Sequence, residues 1–274
     1  MKMLLKDGKR KVLTLSYDDG VVQDIKLIEI MDKYGLKGTF NISSGTYLSE
    51  DVTREKFYGR LKLSEAKELY KNSGHEVALH AFTHPFLDKL DTSEIIYEIT
   101  EDRKAIESHY GKIARGMAYP FGRYNDVVVD ILEKCNIAYS RTARATGTLD
   151  FPENWLKLHP TCHHNYEKLE ELAKKFVEGK NRWDNCEMFY LWGHSYEFDN
   201  DDNWEVIEKF AEYVGGHEHI WYATNIEIYD YVKAYESLQT SYDKKIIHNP
   251  TNIDVWVDVK SEMYCIKAGE TINI

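Results

Sequence analysis

Short β-like runs alternate with amphipathic helical stretches along most of this chain, and that alternation restricts the fold more than any other feature. Residues 11–17 (KVLTLSY) read as a strand, and 22–34 then carry apolar residues at helical spacing up to Gly35. The rhythm recurs with strand-like runs at 38–42, 76–80, 114–119, 137–140, 156–159, 187–192 and 220–223. Helical stretches lie between or after them at 64–73, 93–110, 126–135, 166–178, 204–213 and 226–238. Strand and helix in alternation predict a parallel sheet, and about eight strand candidates favour closure into a barrel, the α/β class. From residue 241 the pattern changes to strands without helices. Residues 254–259 alternate, 262–267 are a candidate partner, and 268–270 form a turn. The expected division is a barrel over 1–238 and a small β appendage, packed on the barrel, over 239–274.

Charge narrows the function. Thirty-five basic residues against 46 acidic ones give a formal net charge of −11, without a lysine- or arginine-rich run. A surface built to hold nucleic-acid phosphates or anionic lipid is normally basic, so neither is an expected partner. Residues 1–10 lack the apolar core of a secretion signal, and no stretch approaches the roughly 20 apolar residues of a spanning helix. The four cysteines are scattered and form no Cys-x-x-Cys pair, which suits free thiols in a reducing compartment and excludes a thiolate zinc cage. The expectation is a cytoplasmic protein with no membrane insertion.

Three segments fall just after β-like runs, where parallel sheets and barrels place their active sites. The first is Ser16-Tyr17-Asp18-Asp19-Gly20. A turn at Gly20 lets both carboxylates reach the mouth, where two adjacent negative charges need a cation or proton between them. One aspartate then suits a metal and the other suits base work; a solvated turn with a capping aspartate is the plainer alternative. The second is His80-Ala81-Phe82-Thr83-His84-Pro85. Two histidines four apart converge in one turn, and with one aspartate they make a three-ligand set with open positions. The third is Trp192-Gly193-His194-Ser195-Tyr196-Glu197. A histidine directly after an apolar strand suits acid–base chemistry near neutrality, with Glu197 and Asp184 as candidate orienting carboxylates and Gly193 allowing close approach of a ligand. It equally suits a satisfied core histidine.

Taken together, these segments resemble the polysaccharide deacetylase, or NodB-homology, family of carbohydrate esterases. Ser16–Gly20 matches its first motif, His80 to Pro85 its second, Tyr119-Pro120-Phe121-Gly122 its third and His194 its fifth; the fourth is only echoed by Asp150 and Trp155. The resemblance covers about residues 10–235. It implies an irregular (β/α) barrel and one divalent metal on Asp19, His80 and His84, with zinc the first choice and cobalt, nickel or iron fitting the same donors. It implies Asp18 as general base, His194 as general acid, and a backbone N–H of the Tyr119–Gly122 loop, that of Phe121, facing the oxyanion. Family members often carry an arginine at the position of Ala118 that orients the base. Among Arg115, Arg123 and Arg141, the last follows a predicted strand end and is the chosen substitute.

The implied reaction is removal of acetyl groups from an N-acetylated, less readily O-acetylated, sugar or oligosaccharide. A related amide C–N hydrolase of the same fold, some of which work without metal, and a non-catalytic carbohydrate binder are the rival readings. His163 is a candidate substrate contact, and Trp155, Trp192, Tyr196 and Trp204 offer flat faces for sugar rings.

Overall fold

The β-branched and aliphatic run at 11–18 forms a strand that is buried along its whole length, and the sheet is laid down around it. The computed structural model describes residues 1–52, 59–179 and 185–274; Asp184 lies outside them. In chain order the elements are β1 (Lys2–Met3), β2 (Lys11–Asp18), α1 (Asp24–Lys33), β3 (Gly38–Ile42), α2 (Leu63–Lys71), β4 (Glu76–Leu79), α3 (Thr92–Tyr110), β5 (Gly116–Ala118), α4 (Asp126–Lys134) and β6 (Tyr139–Arg141). Then come β7 (Cys162–His163), α5 (Leu169–Glu178), β8 (Glu187–Gly193), α6 (Tyr196–Asn200), α7 (Glu205–Val214), β9 (Ile220–Tyr222) and α8 (Asn225–Glu236). The tail holds β10 (Gln239–Thr240), β11 (Ile246–His248), β12 (Val255–Val259), β13 (Glu262–Ile266) and β14 (Thr271–Asn273).

Helix ends follow local chemistry. In α3, Asp91 accepts from the Glu94 N–H while Glu94 bonds back to the Asp91 N–H, and Gly111 closes the helix at φ 66°. Thr224 and Glu227 make the same reciprocal box at the start of α8. The buried Lys11 ammonium caps the far end of α5, donating to the carbonyls of Phe176, Val177 and Gly179 at 2.5, 3.2 and 2.6 Å.

The main sheet is parallel throughout and runs β6-β5-β4-β3-β2-β8-β7. One edge of β2 is shared in tandem: Lys11 to Leu13 pair with β9, and Leu15 to Asp18 pair with β3. The expected strand at 156–159 is instead a 3-10 turn over Trp155–Lys157. The residues after it close the sheet. Thr142 N donates to Leu158 O beside β6 (2.9 Å), and Thr161 N donates to Tyr190 O on β8 (2.9 Å). The sheet therefore curls into an irregular barrel whose two edges are joined by the 158–161 backbone.

The tail strands pair as the alternating pattern suggests, β12 antiparallel to β13. Their sheet also takes in β1, with Met3 opposite Val257, a partnership with no local sequence signal. Tyr231 of α8 ties both to the barrel: its hydroxyl donates to Leu4 O (2.7 Å) and accepts from Trp256 N (3.0 Å). Among the described residues, no helix is long and apolar enough to cross a membrane.

Candidate active site

The site residues come from the C-terminal ends of successive parallel strands or the turns just after them, because a parallel barrel aims those ends at one mouth. Asp18 ends β2, His80 follows β4, Arg141 ends β6, His163 ends β7 and His194 follows β8. The structure brings all five together with Asp19 and His84.

Asp18 is buried, and its surroundings hold its charge. Arg141 Nη2 forms an ion pair with Oδ2, and Asn41 Nδ2 donates to Oδ1 at 2.8 Å. His80 Nε2 and His194 Nε2 each lie 3.8 Å from Oδ2. Burial by itself would raise the Asp18 pKa. Arg141 foremost, then His80, His194 and the Asn41 bond, bring it below the ordinary carboxylate value. Arg115 and Arg123, the other two arginines considered, are committed elsewhere, to Asp230 and Asp88.

Asp19 turns away from its neighbour. Its φ of 84° lies in the left-handed region, as does the 59° of His84. Non-glycine residues adopt that region at a cost, and here it swings both side chains onto one point. Arg60 holds the Asp19 turn, with Nη1 donating to its carbonyl at 2.6 Å and Nη2 to Oδ1 at 3.1 Å. One donor atom each from Asp19, His80 and His84 lie within 4.8 Å of one another. The Nε2 atoms of His80 and His84 face each other at 3.1 Å. Burial lowers both pKa values, that of His84 to about 4 with the help of His80, so both rings are neutral. His80 Nδ1 sits 2.8 Å from Ala118 O, which fixes the proton there and leaves the Nε2 lone pair facing His84. Two neutral nitrogens and a carboxylate converging in this way are the donor set of a transition-metal ion.

His194 is oriented from one turn further along. Its Nδ1 lies 3.2 Å from Glu197 Oε1. Glu197 Oε2 is in turn 3.1 Å from His163 Nε2 and 3.2 Å from His164 Nε2. His163, His164 and Glu197 also bring one donor atom each within 4.8 Å of one another; Asn165 N donates to His163 Nδ1 at 3.2 Å, which places the His163 proton on Nε2, toward the carboxylate. Burial opposes the Glu197 charge, yet the bonds from His163, His164 and His194 hold its pKa far below normal. For His194, burial pulls the pKa down, but the Glu197 bond and the charges of Asp18 and Glu197 raise it overall.

Several expected contacts have other roles. The Tyr119 ring is buried, with its hydroxyl on Leu156 O at 2.7 Å, and Pro120 is buried beside it. A Cβ on Gly122 would meet Ala143 Cβ at 2.5 Å. Of this loop only Phe121 presents a side chain outward, at φ 58°. The turn's backbone bonds, Gly122 N to Tyr119 O and Arg123 N to Pro120 O, leave the Phe121 N–H out. Trp192 offers no free face on one side, where the Arg141 guanidinium lies 4.4 Å from the ring centroid. Gly193 makes room for His164 and not for a ligand: a Cβ there would sit 2.0 Å from His164 Nδ1. Trp155 is buried against Tyr229, and Trp204 packs on Phe198. Tyr196 stands 5.1 Å from the His194 ring. No local pattern marks Arg60 or Asn41, whose partners Asp19 and Asp18 lie remote in sequence.

A curled parallel sheet with a His-His-Asp convergence and a second, arginine-paired aspartate at its mouth defines a recognisable class of (β/α) barrel proteins. Residues 5–140 match the polysaccharide deacetylase family model. It is similar to a peptidoglycan-N-acetylglucosamine deacetylase of Listeria monocytogenes, 25% identical over 122 residues that make up 44% of this chain and 23% of that protein. It is also similar to chitin deacetylase 1 of Cryptococcus neoformans, 28% identical over 175 residues, 61% of this chain and 34% of that one. The match thus spans about a quarter to a third of the length of these curated relatives. A family 4 carbohydrate esterase from Streptomyces lividans, solved in complex with acetate, shares the fold with a TM-score of 0.51 at 16% identity, over 78% of this chain and 92% of that one.

Proposed function

We propose that the chain is a metal-dependent deacetylase that removes acetyl groups from an N-acetylated sugar or oligosaccharide. The observation that carries this reading is the opposite fate of two adjacent carboxylates. Asp19 converges with two neutral imidazoles, while Asp18 is turned to Arg141 and lies between His80 and His194. The printed activities of the deacetylase relatives support the substrate class. The barrel over 1–238 would carry the site, with 239–274 forming the appendage, whose sheet β1 extends. The four cysteines are free thiols, which supports a reducing, cytoplasmic setting.

Asp19, His80 and His84 would hold the ion, zinc by preference. When bound, it supplies Lewis-acid polarisation of the acyl carbonyl. Asp18, ionised by its partners, accepts the proton of the attacking water. Arg141 and Asn41 fix the direction of its carboxylate. The Phe121 N–H would serve as the oxyanion donor. His194 keeps a proton on Nε2, with Glu197 on Nδ1, and delivers it to the departing amine.

The test is acetate release from N-acetylglucosamine oligomers, alongside metal analysis. The expected result is about one zinc or similar ion per chain, with turnover lost on chelation and in Asp18→Asn, the latter retaining sugar binding. Full activity without metal would favour the amide-hydrolase reading, and metal binding without turnover on any acetylated glycan would favour a carbohydrate binder.

A further inference from the structure

The inward stripe of α3 carries two acids where its pattern calls for apolar residues. Its buried positions are Ile95, Glu98, Ile99, Asp102, Ile106 and Tyr110, at helical spacing. Glu98 is 7% exposed and Asp102 is fully buried. Four residues apart, they lie on one face of the helix, a turn from each other. Burying a carboxylate is costly unless its oxygens are hydrogen-bonded. Among the described residues, the partners of both are N–H and O–H donors and include no basic side chain.

Those donors lie in the turn that carries the two candidate histidine ligands and in the turn after β3. Asp102 Oδ2 accepts from His80 N at 3.0 Å, and its Oδ1 accepts from the N–H and hydroxyl of Ser44 at 2.8 and 2.6 Å. Glu98 Oε2 accepts from Thr83 N and Oε1 from the Thr83 hydroxyl, both at 2.7 Å. The Glu98 carbonyl accepts from Phe82 N at 3.1 Å. From the other side, the Ser43 hydroxyl donates to His80 O and Gly45 N to Phe82 O, both at 2.9 Å. Gly45 permits that approach, since a Cβ there would meet Phe82 O at 2.6 Å. The His80–His84 turn is thus clamped between α3 and the end of β3.

The clamp has strain to hold. Ala81 and His84 sit at φ 61° and 59°, and non-glycine backbone of that kind persists only where its surroundings over-determine it. None of the clamp's bonds uses an imidazole nitrogen of His80 or His84. The clamp sets the path of the backbone and leaves the two Nε2 atoms facing each other. We propose that Glu98 and Asp102 are positioning residues that hold the His80–His84 turn, with both imidazoles converging, before any ion binds. This rests on the proposed function only in taking the two imidazoles as metal ligands.

The experiment uses the full chain stripped of metal, in wild type, Glu98→Ala, Glu98→Gln and Asp102→Ala. Zinc affinity is measured by competition with a chromophoric chelator, and amide hydrogen exchange is followed over residues 80–84 without zinc. In wild type the amides of His80, Phe82 and Thr83 should be protected without zinc. Glu98→Ala should speed exchange at Thr83 and weaken zinc binding about 10- to 100-fold, the usual effect of losing an outer partner of a metal site. Asp102→Ala should do the same with the exchange effect at His80. Glu98→Gln should restore both readouts, since its amide accepts from Thr83 N and donates to the Thr83 hydroxyl. A merely structural role would lower the unfolding midpoint and leave the zinc Kd of the folded protein where it was. That outcome, or wild-type amides that gain protection only when zinc is added, overturns the proposal. A protected turn in a wild type that binds no zinc would defeat the metal-dependent reading and leave the clamp standing. Zinc binding by a turn unprotected beforehand would do the reverse.

Discussion

Arg141 and Asp18 form a buried ion pair between residues 123 positions apart, joining the ends of β6 and β2. Three strands, β5, β4 and β3, separate the two along the sheet. Only the curl of the sheet brings guanidinium and carboxylate across the mouth. The pair does two jobs: it keeps the carboxylate ionised despite full burial, and it fixes the carboxylate between His80 and His194.

Removing the arginine should therefore change both stability and pH dependence. Arg141→Ala leaves a buried carboxylate without its main partner, and a loss of about 3–5 kcal/mol is expected in denaturant unfolding. In the proposed mechanism Asp18 is the base and works when ionised, so activity should be present above its pKa and lost as pH falls through it. Its pKa is held down chiefly by Arg141 against burial. Arg141→Gln should move the acid limb of the kcat/KM profile to higher pH and lower the rate roughly 10²-fold at neutrality. An acid limb that stays in place would separate Arg141 from the base.

Glu197→Gln tests the other limb. In the proposed mechanism His194 works in its acid form, so activity should be present below its pKa and lost as pH rises through it. Burial lowers that pKa, and the Glu197 bond leads the effects that raise it above the ordinary histidine value. Removing the carboxylate charge should move the alkaline limb to lower pH. The rate loss at neutrality should not exceed the roughly 10²–10⁴-fold that acid catalysis contributes. A pH–rate profile of both forms checks this, and an unmoved alkaline limb would count against His194 as the acid.

Gly193→Ala should destabilise by about 1–3 kcal/mol, the range for overpacking, because the new methyl would collide with the buried His164 ring. Thermal unfolding measures the loss. Combining it with His164→Ala should recover part of the cost, since the two positions share one space. Additive losses would show that the ring and the glycine do not meet.

The local parts of this protein were legible in its sequence. Asp18-Asp19-Gly20 and His80 to Pro85 are contiguous segments, and each needs only one strand end and one turn to present its side chains. The α/β class and the positions of most elements followed from periodicity, because burial on one face imposes a period of 2 or 3.6 on the residues themselves. Of the expected strand at 156–159, the structure keeps only the parallel bridge of Leu158 to Arg141, after a 3-10 turn, because a short apolar run has the same pattern in a strand and in a turn that bridges two strands.

What the tertiary structure decided is which distant residues meet. Arg60 at the Asp19 turn, Asn41 on Asp18, Arg141 rather than Arg115 or Arg123, and His163 and His164 on Glu197 all depend on strand order and curl. The pairing of β1 with β12 joins the two ends of the chain in the same way. A sequence records which side of an element is apolar, and so what must be buried. The partner across the barrel mouth is set by the closed path of the sheet, which exists only once the strands have paired.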